Sequence, residues 1–162
     1  PVLEQTLRQA AAHFVEAREK EGEHLFHDLN EKLDGIEKMV CEVEKRSPEM
    51  MEEYRSKITE KVEELLGDKN IDERVLATEL TIYADKVCVD EETVRLHSHI
   101  KNMRDTLKLG DNIGRKLDFI AQEMNRESNT ILSKANDRAL SNIAIDLKTE
   151  IEKVREQIQN IE

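Results

Sequence analysis

The chain has 162 residues, of which 38% are charged and 38% hydrophobic, with five glycines, two prolines and no tryptophan. This composition disfavours a sheet-based fold and predicts an all-α protein, a long helical hairpin followed by a four-helix bundle. The net charge of -11 excludes binding to nucleic acid by bulk attraction. Any surface for RNA must therefore be a local basic patch.

The first part of the chain predicts two long helices. An apolar stripe with helical spacing starts at Leu3 and continues to about Lys45. Ser47-Pro48-Glu49 then offers an N-cap, a proline suited to a first helical position and an acid for the first turn, so a second helix is expected here, ending at Gly67-Asp68. Residues 1–70 are thus predicted to be an acidic antiparallel hairpin that contacts other subunits. A plain coiled-coil hairpin is the alternative.

The third predicted helix is apolar around most of its circumference. Asp72 is expected to cap it, and the apolar run from Val75 to Cys88 predicts a central position in the fold. Glu79 lies inside this apolar set, where an ionised carboxylate is costly unless it is paired or metal-bound. We interpret Glu79 as either a structural ion-pair partner or a functional carboxylate.

The fourth predicted helix carries a polar line beside its apolar stripe. Asp90 is expected to cap it. The spacing of the sequence places Arg95, His99 and Asn102 along one line next to the core, whereas His97 points elsewhere. A histidine at such a border is either a hydrogen-bonded structural residue or a catalytic group.

The fifth predicted helix, residues 114–134, follows a turn at Gly110-Asp111-Asn112 and combines an apolar stripe with many polar groups. Glu123 and Glu127 stand one turn apart, and a divalent cation or an arginine would relieve their repulsion. A solvated charged face is the alternative. Arg115 and Lys116 stand at the helix start, where a docked RNA phosphate or a carboxylate would offset their conflict with the helix dipole.

The last helix completes the predicted bundle. Asn136-Asp137 is expected to end one helix and cap the next, whose apolar seam runs from Leu140 to Ile161. Residues 71–162 are thus predicted to form a four-helix bundle with its own core. The sequence contains no long apolar run and no signal-peptide pattern, so a soluble, cytoplasmic protein without contact to a membrane is expected. The start at Pro1 rather than Met predicts a fragment of a longer protein.

The two cysteines are far apart in the sequence. Neither Cys41 nor Cys88 has a CxxC pattern or a His at metal-binding spacing beside it, which argues against a structural zinc site. Cys88 closes an apolar helix and is predicted to be a buried thiol.

Four separated motifs resemble the C-terminal half of the YicC-like proteins of bacteria. In chain order they are REKEGEHLFHDL, ETVRLHSHI, GRKLDFIAQEMNRESNTILSKAND and IEKVREQIQNIE, and the resemblance covers essentially the whole chain. It implies an endoribonuclease that depends on divalent metal and assembles as a ring-like hexamer. It also implies a further N-terminal domain, which supplies part of the RNA channel. His99, rather than His97, matches the R-L-x-S/A-H pattern of the family.

Two routes to RNA cleavage are open from these residues. In the metal route, catalytic groups from three helices converge to hold Mn²⁺ or Mg²⁺, and the histidine favours Mn²⁺. The predicted catalytic and metal-binding residues are Glu79, His99, Glu123 and Glu127. In the metal-free route, His99 acts as a general base on the 2'-hydroxyl while Arg95 or Arg126 stabilises the phosphate.

The remaining polar residues are assigned by residue type and helical face. The residues predicted to bind RNA are Arg95, Arg115, Lys116, Arg126, Asn129 and Lys134. The residues predicted to orient the substrate or the metal ligands are Asp118, Gln122 and Asn125. The expected partners are RNA, further copies of the chain, hexameric by resemblance, and an RNA-decay protein. The alternative function, a non-catalytic oligomerisation or adaptor module that binds a protein partner, explains the net charge of -11 directly.

Overall fold

The computed structural model describes residues 2–66, 73–110, 113–159 and 161, and these are arranged as an all-α fold, as the composition predicts. The five helices are α1 (Val2–Leu66), α2 (Glu73–Val87), α3 (Asp90–Leu107), α4 (Gly114–Lys134) and α5 (Arg138–Ile158). No helix in these residues combines the length and the apolar character that a membrane span requires. The features predicted at Gly67-Asp68, Asp72 and Asp111-Asn112 lie outside the described residues.

The predicted hairpin is wrong, because α1 is one helix of 65 residues with Pro48 inside it. At 1.5 Å per residue it is about 97 Å long. A proline inside a helix removes a hydrogen bond and costs about 3 kcal/mol, so nearby contacts must hold the helix together. Val43 and Met50, on either side of Pro48, are 0% and 3% exposed in the core. Arg46 adds a bond across the proline, since it binds both carboxylate oxygens of Glu53 at 2.7 and 2.8 Å.

The core lies between the middle of α1 and the helices α3, α4 and α5. Helix α4 packs between α3 and α5, and α1 packs against α3 and α5. Each of the four helices contributes fully buried side chains, among them Leu33, Leu96, Met124 and Leu147, all 0% exposed. The core therefore crosses the predicted domain boundary at residue 70, and α1 supplies one of the four helices of the bundle.

Helix α2 lies at the periphery, so the prediction of a central helix is wrong. Its side chains Val75 and Ile82 are 66% and 59% exposed. Tyr83 is buried and stacks on Tyr54 of α1, with the ring centroids 3.6 Å apart. The physical reason is that the middle of α1 fills the central position, which leaves α2 outside. Cys88, which follows α2, is accordingly exposed rather than buried.

Helices α5 and α3 are capped differently at their N-termini. Asp137 is the N-cap of α5, as predicted, and its Oδ2 accepts a hydrogen bond from the backbone N–H of Leu140 at 3.0 Å. Asp90 instead is the first residue of α3, and Val89 holds the N-cap position without a side-chain bond. Since Asp90 lies in the first turn, its charge still faces the positive end of the helix dipole.

An ion pair between α1 and the cap of α5 makes stability depend on pH. The Nε of Arg46 lies 2.9 Å from Asp137 Oδ2. The pKa of the Asp137 carboxyl lies below its ordinary value of 3.8. The main cause is the hydrogen bond from the Arg46 guanidinium, and the second is the hydrogen bond from the Leu140 N–H. Because the folded pKa is below the unfolded one, the stabilisation is complete above the ordinary pKa and is lost as the pH falls through the folded pKa.

Two substitutions at Asp137 should separate the cap from the ion pair. We expect Asp137→Asn to keep the cap and lose the pair, so its deficit in stability is present at neutral pH and shrinks as the pH falls below 3.8. We expect Asp137→Ala to lose about 1 kcal/mol more, since it also removes the cap. Urea unfolding of both variants across pH measures these differences. A constant deficit for Asp137→Asn at every pH would contradict the ion-pair explanation.

Candidate functional site

Three of the four predicted metal ligands meet between α3 and α4. Glu123 and Glu127 lie one turn apart on α4, and His99 faces them from α3. One ligand atom of each residue, a ring nitrogen or a carboxylate oxygen, lies within 4.8 Å of the other two. Glu127 is 3% exposed, whereas His99 and Glu123 are half-buried. We call these three residues the His99 cluster.

The core positions of the two helices fix where this cluster lies. Ile100 follows His99 and Met124 follows Glu123, and both are 0% exposed. A residue next to a buried stripe lies at the seam where its helix meets the neighbouring helix. The same hydrophobic packing that joins α3 to α4 therefore directs the imidazole toward the two carboxylates.

Arg95 is the counter-charge of the buried carboxylate. Its Nη1 lies 3.4 Å from Glu127 Oε1, and its Nη2 is paired with Glu91. Electrostatic attraction to Glu91, and to a smaller extent to Glu127, raises the pKa of the Arg95 guanidinium. A contact of 3.4 Å is longer than the usual N–H···O hydrogen bond. Since a carboxylate has about four acceptor positions, Glu127 retains capacity to hold a cation.

The donor set of the His99 cluster fits a small divalent cation. Carboxylate oxygens are the ligands that Mg²⁺ and Mn²⁺ prefer, and an imidazole nitrogen shifts the preference toward Mn²⁺. The two carboxylates match the two positive charges of such an ion. Three protein ligands leave coordination positions for water and for a substrate oxygen.

Glu79 does not belong to this cluster. It lies on α2 and is exposed, and its Oε1 accepts a hydrogen bond from the Tyr54 hydroxyl of α1 at 3.1 Å. The prediction that Glu79 lies inside an apolar set is wrong because α2 is peripheral. Contact with water removes the cost of its charge, and with it the reason to expect a metal there.

A shallow groove of about 400 Å³ runs along α4 beside the His99 cluster. Its lining residues are all polar: Gln122, Asn125, Arg126, Asn129, Thr130 and Ser133. Arg126 joins the groove to the cluster, since its Nη1 lies 3.4 Å from Glu123 Oε2. A polar lining of amides, hydroxyls and one guanidinium is suited to phosphate and sugar oxygens. Residue type alone assigns no role to Thr130 and Ser133, although they lie at i+4 and i+7 from Arg126 on one helical face.

The residues predicted to orient the substrate or the metal ligands form bonds toward α5. Asp118 accepts hydrogen bonds from Gln122 at 2.7 Å and from Arg155 of α5 at 3.0 Å. Asn125 donates to Glu152 of α5 at 3.2 Å. Within the described residues, none of these bonds reaches the His99 cluster. They fix the position of α4 on α5, while Gln122 and Asn125 also present polar atoms to the groove.

The basic residues predicted to bind RNA differ in how they are engaged. Arg115 and Lys116 are exposed at the start of α4. Arg126 has 66% of its side chain exposed. Lys134 instead donates to the buried Glu92 carboxylate at 2.8 Å and to a backbone carbonyl at 2.9 Å. Phosphate binding at Lys134 would have to break this ion pair, and binding at Arg95 would compete with Glu91 and Glu127. Arg115, Lys116 and Arg126 are open to solvent.

The fold and the His99 cluster define an all-α domain with a candidate metal centre of one imidazole and two carboxylates. A sequence model of the family described as "Endoribonuclease YicC-like, C-terminal" matches residues 43–162. The chain belongs to this family, and the resemblance drawn from the four motifs is confirmed.

Two curated relatives carry the name "Probable endoribonuclease YicC". The chain is 45% identical to the protein of Clostridioides difficile (strain 630) over 162 residues, which cover 99% of this chain and 55% of the relative. It is 37% identical to the protein of Haemophilus influenzae (strain ATCC 51907 / DSM 11121 / KW20 / Rd) over 149 residues, which cover 92% of this chain and 51% of the relative. The chain spans about half the length of these relatives.

Proposed function

We propose that this chain is the metal-binding part of an endoribonuclease that cleaves single-stranded or structured RNA. The observation that carries this proposal is the convergence of His99, Glu123 and Glu127 from two helices, with their ligand atoms within 4.8 Å of one another. The names of the curated relatives support the same activity. The cofactor is Mn²⁺ or Mg²⁺, with Mn²⁺ favoured by the imidazole.

Each part of the surface has a role in this proposal. A divalent ion held by the His99 cluster would neutralise charge on the scissile phosphate and supply an activated water. Glu127 and Glu123 are the anionic ligands, and His99 is the neutral ligand. Arg126 and Asn129 in the groove bind phosphate oxygens of the neighbouring nucleotides.

The start of α4 extends this surface. Arg115 and Lys116 are exposed at the positive end of the helix, and a phosphate bound there would be stabilised by both side chains and by the free N–H groups. This local patch would hold RNA despite the net charge of -11.

The test uses labelled RNA with the chain and with the complete gene product that contains it. We expect cleavage in Mn²⁺ that stops in EDTA and returns with excess Mn²⁺. Cleavage should also be lost in His99→Ala and retained in His24→Ala, a matched change at an exposed histidine of α1. Cleavage that persists in EDTA would replace the metal route by the metal-free route with His99 as the base. No cleavage by either protein would leave the adaptor function.

The alternative, an oligomerisation or adaptor module, is supported by the first part of α1. Residues 2–24 are all exposed. They include large hydrophobic side chains that are more than half exposed: Val2, Leu3, Leu7, Phe14 and Val15. Such a surface favours contact with another chain, either a further copy in a homo-oligomer or an RNA-decay protein. This contact is compatible with a nuclease, so the cleavage test decides whether it is the whole function.

A further inference from the structure

A second group of metal-binding side chains lies where α1 packs against α3. Cys41 and Glu44 stand one turn apart on α1, and His97 faces them from α3. One ligand atom of each, a sulfur, a carboxylate oxygen and a ring nitrogen, lies within 4.8 Å of the other two. His97 and Cys41 are half-buried, and Glu44 is exposed. We call these residues the Cys41 cluster.

A carboxylate lies near each nitrogen of the imidazole in this cluster. His97 Nε2 lies 3.0 Å from Glu44 Oε1, and His97 Nδ1 lies 3.8 Å from Glu37 Oε1. Glu37 is fixed in turn by Arg104 of α3, whose Nη1 lies 2.9 Å from Glu37 Oε2. A metal-bound histidine in proteins commonly has a carboxylate at its second nitrogen, which sets the ring orientation. Glu37 lies on that side of the ring, 3.8 Å from Nδ1, which is longer than a hydrogen bond.

The backbone on both sides of the cluster is held by the core. Val40 and Val43, which flank Cys41 on α1, are 0% exposed, and so is Leu96, which precedes His97. The donors therefore project from two helices that are fixed relative to each other. Only side-chain rotation is needed to bring the three ligand atoms closer together.

We propose that the Cys41 cluster binds a borderline-soft divalent cation of the Zn²⁺ class and thereby joins α1 to α3. Thiolate, imidazole and carboxylate are all zinc ligands, with metal–ligand distances of about 2.0–2.3 Å. Three such ligands lie about 3.3–3.7 Å apart around a tetrahedral ion, and the ligand atoms of the Cys41 cluster, all within 4.8 Å of one another, are close to this spacing. Water completes the fourth position.

Binding exchanges a proton for the metal, with no change of oxidation state. The S–H bond of Cys41 is replaced by a sulfur–metal bond, and the proton is released to solvent. Sulfur distinguishes this cluster from the His99 cluster, which offers only nitrogen and oxygen. The thiolate favours Zn²⁺ over Mn²⁺ and Mg²⁺, so the two clusters select different metals.

Cobalt absorption tests this proposal because a thiolate bound to Co²⁺ absorbs in the near ultraviolet. We expect the purified chain, kept reduced, to show this band with one equivalent of Co²⁺ and to lose it when Zn²⁺ displaces the cobalt. Cys41→Ser should abolish the band, whereas Cys88→Ser, at the other cysteine of the chain, should retain it. His97→Gln should weaken Co²⁺ binding by at least about tenfold, in line with the effect of lost metal-site partners.

Three results would overturn the proposal: no thiolate band in the unchanged chain, a band that persists in Cys41→Ser, or a band lost in Cys88→Ser alone. Circular dichroism checks that Cys41→Ser is folded, and His97→Gln supplies a second test that leaves the thiol in place. His99→Ala should retain the band, because no sulfur lies in the His99 cluster. Failure here is thus distinguishable from failure of the proposed nuclease site.

Discussion

Replacing Glu127 with Gln should lower the Mn²⁺ affinity of this chain by at least about 100-fold, because even outer-shell partners of metal ligands contribute about 10–100-fold. RNA cleavage should fall by at least the same factor. Glu127 is the most buried member of the His99 cluster, at 3% exposure, so its charge acts where water screens it least. Gln has the same size and keeps an acceptor oxygen for Arg95. The substitution therefore removes the charge and little else.

Glu91→Gln is the matched control for this substitution. Glu91 also pairs with Arg95, but it has 70% of its side chain exposed and lies outside the His99 cluster. We expect Glu91→Gln to bind Mn²⁺ as the unchanged chain does. In Glu127→Gln the guanidinium keeps its partner Glu91, so the fold should be retained.

The measurement is a titration with Mn²⁺ followed by electron paramagnetic resonance, which reports the free ion. Circular dichroism of each variant checks that the helices are intact. Unchanged Mn²⁺ binding in Glu127→Gln would remove this residue from the metal site. An equal loss in both variants would mean that the position of Arg95, rather than a ligand, controls binding.

The helix assignments show how much of the fold follows from local sequence. Apolar spacing and the Asp137 cap predict α3, α4 and α5 closely, because these signals lie within each helix. Ser47-Pro48-Glu49 wrongly predicts a helix start. The same residues are compatible with a helix interior when other contacts offset the lost hydrogen bond. One such contact joins Arg46 to Asp137, which lies 91 positions further along the chain. A local pattern therefore cannot decide between a turn and a continuous helix here.

Contacts between distant parts of the sequence also explain which candidate site residues can be predicted from the sequence and which cannot. Glu123 and Glu127 are recognisable because their repulsion lies within one helix, and a family motif adds His99. Local sequence misplaces Glu79, because the environment of this side chain depends on where α2 packs. No sequence pattern links Cys41 to His97, because they are 56 positions apart and only the packing of α1 on α3 brings them together.

A core substitution in α1 should be among the most destabilising changes in the chain. Leu33 is 0% exposed and belongs to the buried cluster shared by α1, α3, α4 and α5. We expect Leu33→Ala to lower the free energy of unfolding by about 3 kcal/mol, from lost hydrophobic transfer and from the cavity left behind. For a chain of this size the melting temperature should fall by roughly 6–12 °C.

Leu7→Ala makes the same chemical change on the same helix, at a side chain that is 70% exposed. Thermal unfolding followed by circular dichroism should show a loss for Leu33→Ala that does not depend on protein concentration. Leu7→Ala should have a much smaller effect, and a part of it that depends on concentration would indicate contact with another chain. If residues 71–162 formed an independent bundle, Leu33→Ala would leave their unfolding unchanged. That outcome would show that α1 is an attached arm and that α3, α4 and α5 pack without it.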